Sequence, residues 1–112
     1  MCQIIITDSF RVSMLPTNSV RGVMEVLVEF RPVSAETVRY WCSPRYVEVV
    51  SAIDNIDTAR TVSGILGIEL PVSHIHVKMT GLECIIIAQC SGSLPPGGIV
   101  TEFWKVRVSS WH

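Results

Sequence analysis

The run Glu83 to Cys90 is the feature that most constrains this chain, because Ile85-Ile86-Ile87-Ala88 is apolar at consecutive positions rather than at alternate ones. A strand buried on both faces reads this way, and it needs neighbours on both sides and cover above and below. The surrounding sequence supplies them. Gln3 to Thr7 is a short apolar run ending at Asp8-Ser9, which predicts a buried first strand. Val23 to Phe30 predicts a second, with Glu25 and Glu29 on one face, Met24, Val26, Val28 and Phe30 on the other, and Pro32 as its stop. Tyr46 to Ile53 predicts a third. His74 to Met79 alternates His74, His76 and Lys78 against Ile75, Val77 and Met79, which predicts a strand with one wet side. Trp104 to Val108 alternates again and is expected to close the sheet.

Two helices fall between these strands. Ser34-Ala35-Glu36 offers an N-cap and an acidic first turn, and Pro44 must end what they begin. After Asp54, residues Ile56, Ala59, Val62, Ile65 and Leu66 recur at helical spacing, and Gly67 is the expected stop. The order of elements shows no internal repeat and no linker. It predicts one α/β domain over residues 1–112, a mixed sheet of about five strands flanked by helices.

Composition narrows the function. With 48% hydrophobic and 17% charged residues, 112 residues fill one core. Nine Lys and Arg against ten Asp and Glu give a net charge of -1, so no global basic field draws the chain to long nucleic acid, and a nucleotide ligand must be met locally. Seven of the nine cations are arginines, the type suited to bidentate phosphate contacts, although most are expected to be ordinary surface charges. No apolar run approaches the ~20 residues of a membrane span. Met1-Cys2-Gln3 lacks the basic start of a secretory signal, and the expectation is a cytoplasmic protein with no membrane partner. Cys2, Cys42, Cys84 and Cys90 show no C-x-x-C spacing and are read as reduced thiols, with Cys84 and Cys90 on the same strand face as Ile86 and Ala88. No metal site and no cofactor is expected.

No strong catalytic signature stands in the sequence: it has no P-loop, G-x-S-x-G, H-E-x-x-H or dinucleotide fingerprint. Two local features suggest a site. The turn Ile53-Asp54-Asn55-Ile56-Asp57-Thr58 opens a helix whose free N–H groups and dipole suit a phosphate, or else Asp54, Asn55 or Asp57 merely caps it. The Gly/Pro-rich stretch Ser91-Gly92-Ser93-Leu94-Pro95-Pro96-Gly97-Gly98 reads as a loop after the central strand.

Taken in order, several segments resemble one family. Ile5 to Leu15, Ser51 to Ala59, Leu66 to Val72, Ile75-His76-Val77-Lys78, Ile86 to Gln89 and Leu94 to Gly98 together resemble the viral ring nucleases of archaeal viruses and phages. The resemblance covers nearly the whole chain. It implies a homodimer that binds a cyclic oligoadenylate across its interface, cyclic tetra-adenylate in the family, to disarm type III CRISPR immunity. The family's catalytic turn reads S-x-I-G-H-x-x-T, where the histidine protonates the leaving 5′ oxygen as a ribose 2′-hydroxyl attacks the phosphate. Here the histidine position holds Asn55 and the preceding glycine is Asp54. The family arginine after the central strand corresponds to Ser93, its neighbouring glutamate to Pro96, the arginine that opens the next strand to His74, and the early asparagine and serine to Asp8 and Arg11.

An amide is no general acid near neutral pH, and losing such a group costs ~10²- to 10⁴-fold in rate. The resemblance therefore implies a catalytically degenerate protein that sequesters the ring. Its ligand contacts would come from Asp8, Ser9, Phe10 and Arg11, from Ile53, Asp54, Asn55 and Thr58, from His74, and from Gln89, Ser91 and Ser93. The alternative is an active, metal-independent ring nuclease in which His74 and Arg11 replace the lost acid and the lost cation, and a His74-dependent pH–rate profile would mark it. A third reading, a structural or regulatory protein that kept the fold and lost the pocket, would be marked by no cyclic nucleotide raising the melting temperature.

Overall fold

The apolar run forms the middle strand of the sheet. The computed structural model describes residues 2–11, 14, 25–79, 83–91 and 100–111. In chain order these form β1 (Cys2–Thr7), β2 (Glu25–Val33), α1 (Ala35–Cys42), β3 (Val47–Ala52), α2 (Ile56–Leu66), β4 (Cys84–Ser91) and β5 (Val100–Trp111). The sheet order is β2-β5-β4-β1-β3. Strand β1 runs parallel to β3 on one side and to β4 on the other, while β5 runs antiparallel to both β4 and β2. The fold is a small α/β domain with a mixed five-stranded sheet flanked by helices.

Alternation along the strands splits the core in two. Ile4, Ile6, Ile86, Ala88 and Phe103 point to the face covered by both helices, where they meet Val38 and Cys42 of α1 and Ala59, Val62 and Leu66 of α2. Ile5, Ile85, Ile87 and Val106 point to the other face, where Met14, Val77 and Met79 cover them and, among the described residues, no helix does. Ile6, Ile85 and Ile86 have no exposed surface, and burying each contributes roughly 1.5–3 kcal/mol.

The helices begin and end on the predicted signals. Ser34 Oγ accepts the Thr37 N–H at 3.1 Å, and α1 ends at Ser43, just ahead of Pro44. Asn55 caps α2, and Gly67 ends it in the left-handed region at φ 68°, where a side chain would be strained. Cys84 and Cys90 pack against the helix-side core beside Ile86 and Ala88, as predicted, and Cys42, Cys84 and Cys90 are free thiols. Burial, and secondarily the neighbouring Cys84, pushes the Cys42 thiol above its usual range.

Four expectations need correction. Strand β2 does not stop at Pro32 but continues to Val33, because it is an edge strand and every second N–H of an edge strand points away from its one neighbour. Strand β5 does not close the sheet; it lies inside it, between β4 and β2. Ile56 is 54% exposed at the first turn of α2, which overhangs the core. The run His74 to Met79 is not a strand, and among the described residues its pairing is limited to a bridge between Val72 and Ile53 just before it. Its alternation is nonetheless half real, since Val77 and Met79 are buried while Ile75 is 51% exposed. The predicted loop of residues 92–98 and most of the segment after Arg11 lie outside the described residues. Among the described residues no helix is long and apolar enough to cross a membrane.

Candidate functional site

Parallel pairing brings the carboxyl ends of β1 and β3 together, with Thr7 opposite Ala52, and the segments that leave these ends must diverge. Ligands of α/β sheets collect at such ends. Here a cleft of about 210 Å³ opens, lined by Thr7, Asp8, Ser9, Arg11, Met14, Ala52, Asp54, Ser73, His74, Ile75, His76 and Val77.

Each wall has a local cause. Thr7 Oγ1 lies 3.1 Å from the Ser9 carbonyl and 3.2 Å from the Ala52 carbonyl, which ties the exit of β1 to the exit of β3. A turn closed by the Met14 N–H donating to the Arg11 carbonyl, 2.9 Å, sets Arg11 at the rim, exposed. Among the described residues its guanidinium makes no ion pair. The opposite wall is the extended run after Val72. It is fixed at one end by the Ser73 N–H on the Ile53 carbonyl, 2.9 Å, and at the other by the Met79 N–H on the Met14 carbonyl, 2.8 Å.

The floor is a chain of hydrogen bonds through the β3–α2 turn. Asp8 Oδ2 accepts the N–H groups of Asp54 and Asn55, each at 3.1 Å. Asn55 Oδ1 accepts those of Asp57 at 2.9 Å and Thr58 at 3.1 Å. Asp54 Oδ1 contacts His74 Nδ1. With Nδ1 donating to that carboxylate, a neutral imidazole keeps Nε2 as an acceptor, which is how a carboxylate orients a histidine. Both partners are largely exposed, so the pair contributes at most about 1 kcal/mol to stability.

The expectation of free N–H groups at the start of α2 is thereby corrected. Asp8 takes the N–H of the capping residue Asn55 and of Asp54 just before it, and Asn55 takes those of Asp57 and Thr58, so the capping alternative describes this turn.

Of the predicted site residues, Asp8, Ser9, Arg11, Asp54 and His74 line the cleft. Asn55 and Thr58 stand one step behind it, linked through the cap. Ile53 is fully buried and reaches the site only through its backbone. Phe10 turns away and meets Phe30 edge-to-face, with ring centroids 5.5 Å apart. Gln89 is exposed on β4, in register with Glu102, and does not line the cleft. Ser91 ends β4, and Ser93 lies outside the described residues. Sequence reasoning missed Thr7, Ser73 and His76 as lining residues. For His76 the signal was present, in the alternation that placed it on the side of His74.

The model of the STIV B116-like family matches residues 12–106. The chain belongs to the STIV B116-like family. B116 of Sulfolobus turreted icosahedral virus (STIV) has a similar structure, with a TM-score of 0.63, 18% sequence identity and coverage of 98% of this chain and 99% of that one. At that identity the likeness establishes a shared fold. No curated protein matches the chain. In this STIV B116-like chain the matched span includes Asp54, Asn55 and His74, while Asp8 to Arg11 lie just ahead of it.

Proposed function

We propose that this STIV B116-like protein binds a cyclic oligonucleotide second messenger of the cyclic oligoadenylate type and holds it uncleaved, suppressing the host defence that the messenger would activate. The observation that carries this reading is the state of Asn55. At the position where the resemblance expects a general-acid histidine, an amide stands instead, and its oxygen is committed to two backbone N–H groups of α2. Such a residue holds a helix and donates no proton to a leaving oxygen.

Binding is supported by the cleft itself. It joins an exposed arginine, with no ion pair among the described residues, to hydroxyl and imidazole groups that suit phosphates and ribose. At about 210 Å³ it is smaller than the ~300–1,000 Å³ of ordinary ligand pockets, so a ring of several nucleotides needs more than one copy. A homodimer with two clefts about a two-fold axis meets that need. The sheet face that no helix covers among the described residues, where Phe30 is 47% exposed, offers a surface for it.

One observation favours a second reading, cleavage at a rearranged site. The Asp54 carboxylate on His74 Nδ1 is the arrangement that orients a histidine for proton transfer, and Arg11 stands at the same cleft. A single experiment separates the two. The purified protein is scanned by thermal shift against cyclic di-, tri-, tetra- and hexanucleotides, and each ligand that raises the melting temperature is recovered by heat denaturation and chromatographed. Intact ligand supports sequestration. Linear products in excess of the protein, lost in His74→Ala, would establish cleavage, and a panel with no shift at all would refute both.

A further inference from the structure

Strands β2 and β5 extend past the helices on the helix-covered face. Among their described side chains only Val33 and Phe103 join the helix-side core. Next along that face come the cross-strand partners Arg31 with Lys105, then Glu29 with Arg107. Arg31, Lys105 and Arg107 are exposed, as is Leu27 beyond them, and Glu29 is partly so. Two cations directly opposite one another weaken an antiparallel pair. Among the described side chains of this face the one carboxylate is Glu29, which leans to Arg31 at 3.7 Å, and the Lys105 ammonium sits 5.3 Å from the centre of the Trp41 ring, a contact that leaves its charge in place. Among those side chains three cations thus share one anion, in a chain whose net charge is -1.

We propose that this face of β2 and β5 docks an acidic protein segment. Arg31 and Lys105, with Cβ atoms ~4.5–5.5 Å apart as cross-strand partners, bracket one carboxylate. Arg107, about 7 Å further along β5, takes the next. Exposed Leu27 adds an apolar contact, and arginine is a residue that protein interfaces favour. Strand β2 is an edge, so an extended partner can also bond its outer backbone groups. A phosphate backbone fits less well. Lys105 already covers the Trp41 ring on which a base would stack. The proposal is independent of what the cleft binds.

The test uses the full chain, labelled with ¹⁵N and titrated at low salt with synthetic octaglutamate and, separately, with octathymidylate. Octaglutamate should shift the backbone amides of residues 27–33 and 103–108, and octathymidylate should shift them less at equal concentration. Lys105→Glu turns a like-charge pair into an opposite one. Its melting temperature should hold or rise while octaglutamate affinity falls at least tenfold, an outcome that a merely structural lysine would not produce. Should that variant fail to fold, Arg31→Gln reads the same loss. No response on these strands, a stronger response to octathymidylate, or unchanged octaglutamate affinity in the variant would overturn the proposal.

Discussion

Asp8 is the residue whose removal tests the site most directly. One of its carboxylate oxygens holds two N–H groups, those of Asp54 and Asn55, at 3.1 Å each, across a sequence separation of 46 and 47 residues. Hydrogen bonds to a charged group contribute roughly 1.5–3 kcal/mol each when shielded and neutral ones about 0.5–1.5 kcal/mol, and these two are exposed enough for water to replace them in part. Asp8→Ala should therefore cost about 1–2 kcal/mol. At ~4–8 °C per kcal/mol for a domain near this size, the melting temperature should fall by roughly 4–16 °C. Asp8→Asn keeps an acceptor and loses the charge, and should cost about half as much. Amide exchange at Asp54 and Asn55 should quicken about tenfold in Asp8→Ala, the equivalent of ~1.4 kcal/mol. A variant that melts within about 1 °C of the wild type, with exchange at both amides unchanged, would show that the carboxylate does not hold this turn. Asp8→Asn also separates bracing from ligand contact, because a bracing carboxylate changes stability and ligand affinity together, whereas a direct contact changes affinity far more.

Other residues give narrower tests. Arg11→Ala should weaken binding of the cyclic nucleotide found by thermal shift by roughly 1–3 kcal/mol, while Arg107→Ala, on the helix-covered face, leaves it unchanged; equal effects by calorimetry would remove Arg11 from the site. Gly67→Ala should cost about 1 kcal/mol in urea unfolding, all of it backbone strain at φ 68°, since a methyl group there would touch nothing. The folded state raises the Cys42 thiol pKa by burial, so it binds that proton more tightly than the unfolded chain; the contribution is complete below about pH 8.5 and is lost as pH rises above it. Urea melts should show a decline above that pH which shrinks in Cys42→Ala. Asn55→His should lower stability by ~1 kcal/mol through loss of the cap, and, joined to Asp54→Gly, should restore slow ring cleavage detectable by chromatography.

The parts of the fold legible in the sequence are those set by neighbours in the chain. Ser34 and Pro44 bound α1, Asn55 and Gly67 bound α2, and the two-sided apolar run places β4 in the middle, because caps, prolines and burial act over a few residues. The order of the other strands was not legible. Nothing local in Val23 to Phe30 says that it lies at an edge, and only that edge lets Pro32 remain in the strand. The alternation after Ser73 records burial on one side and says nothing of a ladder, so it predicted a strand where the chain is merely extended. The site divides in the same way. Asn55 as a cap is local and was foreseen among the alternatives, whereas the contacts Asp8 to Asn55 and Asp54 to His74 span 47 and 20 residues and exist only once β1 and β3 are parallel.

Those long-range contacts change how the residues that align with the ring-nuclease catalytic turn must be read. Asp8, Asp54, Asn55 and His74 look like four separate departures from the ring-nuclease pattern when they are aligned one by one. In the fold they are one connected set, in which Asp8 holds the amides of Asp54 and Asn55, Asn55 holds the first turn of α2, and Asp54 meets His74. Groups that share partners do not contribute additively. Replacing Asn55 alone removes a cap whose turn Asp8 still pins, and replacing Asp54 alone frees His74 without supplying an acid at residue 55. A set in which each member's partner is another member resists single reversions, so under the sequestration reading proposed above no single substitution among the four should restore ring cleavage by the residue at position 55.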